Sequence, residues 1–182
     1  MTLIPFPQML LIAATGRNSG KTTLVCNIIR KFSTHYPIVA IKISSHFHKN
    51  YQGGKEIITS ENLVIAEEIN PEIPKDSSRM LKAGAQKSYF VMATDLYLLQ
   101  AFHHIRTLVP PDALFVCESG GLRNWLNPGI FLMMNRIETI VFKAGTEKLK
   151  PLADKWITFN GQEIDFDIDS IEINNNRWQL KS

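Results

Sequence analysis

The chain has 182 residues, 45% of them apolar and 20% charged, which suits one α/β domain with a sizeable core and argues against extensive disorder. Its net charge of +3 is small and scattered, so neither nucleic acid nor a membrane surface is expected as a partner. Cys26 and Cys117 both lie in apolar runs, as buried thiols of a cytoplasmic protein do, which leaves no disulfide framework or zinc knuckle.

Residues 1–14 are apolar but lack a basic leader and run straight into a glycine-bearing loop, so they are read as a first strand and not as a signal peptide. Within them, residues 9–14 form the continuous apolar run of a strand buried on both faces. Residues 22–32 carry Leu24, Val25, Ile28 and Ile29 at helical spacing. A second buried strand is predicted at 37–43. Residues 56–59 and 63–67 flank Ser60-Glu61-Asn62 as a hairpin, inserted in the polar stretch of about 50–74. A short helix follows at 76–83, with Gly84 in position to end it. The third strand is placed at 87–93. Thr94 or Asp95 then caps a helix running to about Arg106, which Pro110-Pro111 stops. Further strands are placed at 113–117, 129–134, 138–142 and 155–159, with a short helix at 148–154. In the tail, residues 160–182, Ile168, Ile171, Ile173 and Trp178 are expected to pack on the body. No apolar run reaches the ~18 residues of a membrane span. Strands alternating with helices predict a mostly parallel sheet covered by helices on both faces, one α/β domain over the whole length.

The loop Thr15-Gly16-Arg17-Asn18-Ser19-Gly20-Lys21-Thr22 has the length and the Gly-Lys-Thr ending of a Walker A phosphate loop, and lies between a predicted strand and a predicted helix. Backbone N–H groups at such a helix start converge on phosphates, and the helix dipole favours negative charge there. Gly20 permits close backbone approach, Lys21 reaches the terminal phosphates, and the Thr22 hydroxyl takes a place on Mg²⁺. Thr23 completes the nucleotide-binding set. The one departure from the consensus is Thr15 in place of the first glycine, with Gly16 following. These features predict a P-loop NTPase fold.

Magnesium on a nucleotide also needs a nearby carboxylate. Asp112 and Glu118 flank one predicted strand, at opposite ends ~20 Å apart. Ligands gather at the carboxyl ends of parallel strands, so Glu118 is assigned to the metal and to hydrolysis with Lys21, and Asp112 to neither. Lys42 ends the second strand on the same side and can meet a phosphate. His46 and His48, two apart on the following turn, and Asp76 with Arg79 are candidates for a second ligand. Asp76 is equally suited to cap its helix. Arg17 and Arg123 can lend charge to a γ-phosphate. Asn135-Arg136-Ile137-Glu138 is a loose match to the Asn-Lys-x-Asp guanine reader and does not decide the base.

With these pieces in place, the chain resembles the MobB family of P-loop proteins, which serve molybdopterin-guanine dinucleotide biosynthesis. The resemblance rests on Gly20-Lys21-Thr22-Thr23-Leu24, on Ile41-Lys42 with the histidine-bearing turn, on Lys75-Asp76-Ser77-Ser78-Arg79 with Ala83-Gly84-Ala85, and on Glu118-Ser119-Gly120. Pro128 opens a strand in the corresponding place. The matching pieces span roughly residues 9–134. It implies a homodimeric, cytoplasmic GTP-binding accessory with slow hydrolysis, acting beside the enzyme that joins guanine nucleotide to a molybdopterin-type cofactor. Ile43 stands where the family has histidine, the segment before Lys75 is longer, and Ser119-Gly120-Gly121 replaces the family's Gly-Phe. These departures lie on the substrate side and leave the nucleotide side intact.

Three functions are open on this reading. One is a GTP-binding (or ATP-binding) accessory with slow hydrolysis. Another is a small-molecule kinase, for which no arginine-rich lid is apparent. The third is a nucleotide-binding scaffold without turnover.

Overall fold

The computed structural model describes residues 2–47, 54–137 and 145–181. The strand expected at 138–142 and His48 lie outside them. Strand β1 (Ile4–Ala14) leads through the loop to helix α1 (Lys21–Phe32), and β2 (Ile38–Ser44) follows. The predicted hairpin is β3 (Gly54–Thr59) and β4 (Leu63–Glu68), paired antiparallel. Helix α2 (Asp76–Lys82) precedes β5 (Lys87–Ala93), and α3 (Leu98–Thr107) precedes β6 (Leu114–Glu118). Then come β7 (Leu126–Arg136), α4 (Thr146–Leu149), β8 (Lys155–Phe159) and a separate pair, β9 (Ile171–Asn174) with β10 (Arg177–Leu180).

Eight strands form one sheet in the order β3-β4-β5-β2-β6-β1-β7-β8. The six strands from β5 to β8 are mutually parallel, and only the hairpin at one edge brings antiparallel pairing. Alternation of side chains divides the core in two. Met9, Leu11 and Ala13 of β1 face α3, whose Leu98, Ala101, Phe102 and Ile105 close that side. Leu10 and Ile12 face α1 and α2, packing with Leu24, Ile28, Ile29 and Met80. The expected α/β class, mostly parallel sheet and two covered faces are all present. No helix among the described residues is long and apolar enough to cross a membrane.

Several boundaries differ for physical reasons. The helix expected from Thr94 opens as a tight 3₁₀ turn, Asp95–Tyr97, and the Thr94 side chain makes no capping bond. The helix placed at 148–154 begins two residues earlier and becomes 3₁₀ at Lys150–Leu152, where Pro151 interrupts the α ladder. The tail is a hairpin turned by Asn175 and Asn176, whose φ angles of 49° and 59° suit a type I′ turn. It buries Trp178 edge-on against Phe32 of α1, with ring centroids 5.2 Å apart. Gly129 of β7 is required there, because a Cβ would lie 2.3 Å from the Pro7 carbonyl oxygen and 2.5 Å from that of Trp178.

Candidate functional site

The columns of core residues on the α1 face continue straight into charged groups at the carboxyl ends of the strands. Ile38 and Ala40 of β2 are followed on the same face by Lys42, and Leu114 and Val116 of β6 by Glu118. Lys42 and Glu118 are register partners across β2 and β6, and Glu118 also partners Ile12 of β1. Glu118 is therefore held at the centre of the sheet, 3% exposed.

Helix α1 lies over this face and delivers its first turn to the same spot. The Thr22 hydroxyl donates to Glu118 Oε2 at 2.9 Å. Lys42 Nζ is 2.5 Å from Glu118 Oε1 and 2.9 Å from Asp76 Oδ2, bridging the two carboxylates. Burial opposes the Lys42 charge, but Glu118 and Asp76 outweigh it and hold the pKa above that of an ordinary lysine. Burial likewise opposes ionisation of Asp76. Lys42, a hydrogen bond with Thr22 and Arg79 overcome it and bring its pKa below the usual carboxylate value.

Asp76 does not cap its helix. The N-cap position is Lys75, and Asp76 sits in the first turn, turned toward Lys42. Its neighbours explain the orientation. Glu68, at the end of β4 and buried, accepts from Lys75 Nζ at 3.0 Å, Ser77 Oγ at 2.6 Å and Ser78 Oγ at 3.2 Å. The run Lys75-Asp76-Ser77-Ser78 thus ties three side chains to one buried carboxylate and leaves the fourth for the cleft. Glu68 carried no signal beyond a charge closing an apolar strand, and the sequence reading missed it.

The loop between β1 and α1 is stitched down at its start. Thr15 is fully buried, its N–H donates to Met134 O at 3.0 Å, and its hydroxyl donates to Asn135 Oδ1 at 2.7 Å. A glycine could supply only the first of these bonds, which accounts for the departure from the consensus. Asn135 therefore secures the loop. Asn18 and Gly20 take positive φ, 52° and 78°. Gly20 has a further reason to be glycine: a Cβ would come 3.1 Å from Cγ of Phe159, whose ring lies against it. Lys21 Nζ folds over the loop, donating to Gly16 O at 3.2 Å and Ser19 Oγ at 3.1 Å, 4.0 Å from Glu118.

These groups open onto a cleft of about 840 Å³, within the usual range for small-molecule sites. Arg17, Asn18, Ser19, Thr23, His46 and Arg79 also line it. Arg123 does not: it is buried, donates to Leu126 O at 3.1 Å and stacks on Phe131. Asp112 lies at the other end of β6, where its carbonyl accepts from Asn176. Asp95, expected only as a candidate helix cap, and Asn124, which carried no sequence signal, also line the cleft.

The start of α1, with Lys21 in its first turn, is a place where an anion is favoured. Among the described residues no three His, Cys, Asp or Glu side chains cluster closely enough to hold a metal ion by themselves. The oxygens of Thr22 and Glu118 are instead hard donors of the kind that suit Mg²⁺ completed by other oxygen ligands. The chain is an α/β protein in which two lysines, a threonine and two carboxylates meet at the carboxyl ends of a mostly parallel sheet. Comparison with protein-family models, curated proteins and solved structures returns no match.

Proposed function

We propose that the chain is a P-loop protein that binds a nucleoside triphosphate with Mg²⁺ at residues 15–22, with GTP favoured over ATP, and hydrolyses it slowly. The observation that carries this reading is the Thr22–Glu118 hydrogen bond, made beside Lys21 and Lys42 at the carboxyl ends of β1, β2 and β6. In this reading the N–H groups of the loop and of the α1 start cradle the phosphates, and Lys21 swings from Gly16 O to the terminal ones. Thr22 and Glu118 would hold Mg²⁺, which would supply positive charge beside the phosphate oxygens. Lys42, which bridges Glu118 and Asp76, would be a further cation within reach of a bound phosphate. His46, Asp76 and Arg79 line the side of the cleft away from the loop start and would meet a second ligand.

The resemblance to the MobB family extends the reading to a cytoplasmic, homodimeric accessory acting with a molybdopterin-type cofactor or its guanylyltransferase. A second reading is a small-molecule kinase, favoured by Asp95 and Asn124 in the same cleft, where a carboxylate could serve an acceptor hydroxyl as base. Calorimetry with GTP and ATP in Mg²⁺, on wild type and Lys21→Ala, tests the core of the proposal. Loss of binding in a folded Lys21→Ala variant is expected, and unchanged affinity overturns the proposal. Diphosphate release without any acceptor supports the accessory, whereas acceptor-dependent release supports the kinase.

A further inference from the structure

Phe159 is the last residue of β8 and stands at the same end of the sheet as Glu118 and Lys42. It is the only phenylalanine, tyrosine or tryptophan among the described residues lining the cleft. The ring lies against Gly20, one residue ahead of Lys21, where a Cβ would come within 3.1 Å of it. It is half-buried and packs on the α1-side core.

We infer that Phe159 is the stacking platform for the nucleobase of the bound nucleotide. The inference rests on the nucleotide-binding reading above. A phosphate chain held at the start of α1 leaves one sugar between the loop and the base, and that single spacer brings the base to the loop's apolar flank. There Phe159 is the aromatic side chain that lines the cleft, whereas the loop offers backbone, hydroxyl and charged groups. Every base has a π face, so this contact recognises a nucleoside without choosing guanine over adenine. It separates nucleotides from inorganic polyphosphates, which Lys21 and the loop amides alone would accept equally.

The test compares GTP, ATP and inorganic tripolyphosphate, each with Mg²⁺, on wild type, Phe159→Leu and Phe159→Trp. Phe159→Leu keeps an apolar side chain against Gly20 but removes the ring. It should weaken GTP and ATP by about tenfold, within the range that base stacking on an aromatic supplies, and leave tripolyphosphate within twofold. Phe159→Trp should retain nucleotide affinity, with its added fluorescence quenched by GTP and not by tripolyphosphate. Equal loss of all three ligands in Phe159→Leu would show that the ring only shapes the loop, and overturns the inference. Unchanged GTP and ATP affinity also overturns it. If wild type binds tripolyphosphate and nucleotides equally well, the inference fails while the phosphate site stands. If wild type binds none of the three, both fall together.

Discussion

Lys42→Met isolates the charge balance at the site. The substitution keeps the aliphatic stem and removes the ammonium from between Glu118, whose side chain is 3% exposed, and Asp76, which is 40% exposed. Removing one partner of a fully buried pair costs about 3–5 kcal/mol. Here Glu118 keeps the Thr22 hydroxyl at 2.9 Å and Lys21 at 4.0 Å, so the loss should be nearer 2 kcal/mol. Asp76 keeps Arg79 at 3.7 Å and is exposed enough to add little. In a domain of this size that corresponds to a fall of about 4–8 °C in Tm. Divalent metal makes the experiment specific. Free Mg²⁺ about tenfold above its Kd for the relieved carboxylates should return about 1.4 kcal/mol to the variant. Wild type, with the ammonium already between the two acids, should gain much less. The assay is calorimetric or fluorescence-monitored melting of both proteins across a Mg²⁺ series at constant ionic strength. Adding Glu118→Gln to Lys42→Met should cost less than the two single losses combined, by about 1 kcal/mol or more, since the pair is in contact. A variant within 2 °C of wild type, or one that Mg²⁺ stabilises no more than wild type, would refute this account of the cluster.

Two further outcomes are expected. Glu118→Gln should cut nucleotide hydrolysis strongly with modest loss of binding, while Asp112→Asn, at the far end of β6, should leave turnover near wild type; the reverse pattern in a phosphate-release assay would sink the assignment of Glu118 to the metal. Gly129→Ala forces a methyl against two backbone carbonyls that cannot swing away, so a loss of about 3 kcal/mol and some 6–12 °C in Tm should follow, and an unchanged melting curve would contradict the packing of β10 against β7.

The strand-and-helix plan was legible because each buried parallel strand is a short apolar run and α1 carries a clear helical period. Placement of Lys42 and Glu118 at one end followed from strand direction alone, and their registered contact followed from parity once β2 and β6 were neighbours. That neighbour relation is tertiary and has no local signature. The role of Asp76 was divided between capping and the cleft, and only the burial of Glu68 decides it. The apolar run that marked β1 begins at residue 9, whereas the strand itself starts at Ile4 and includes Pro5 and Pro7. The pairing tolerates them through a register shift against β7 between Phe6 and Leu10. Asn175-Asn176 was a usable hairpin signal that the tail's mixed polarity concealed.

The buried carboxylate of Glu68 makes the hairpin at the sheet edge a fixed part of the machinery. By length alone, β3 and β4 resemble an insertion that could be excised to recover a smaller domain. Excision through residue 68 would remove the carboxylate that the Lys75 ammonium and two serine hydroxyls share. The start of α2 would then have no common anchor, and Asp76 would be free to drift from Lys42. A minimal version of this protein must therefore keep β4, or supply an acceptor of the same charge at the same place, before the acids beside Thr22 can stand where they do.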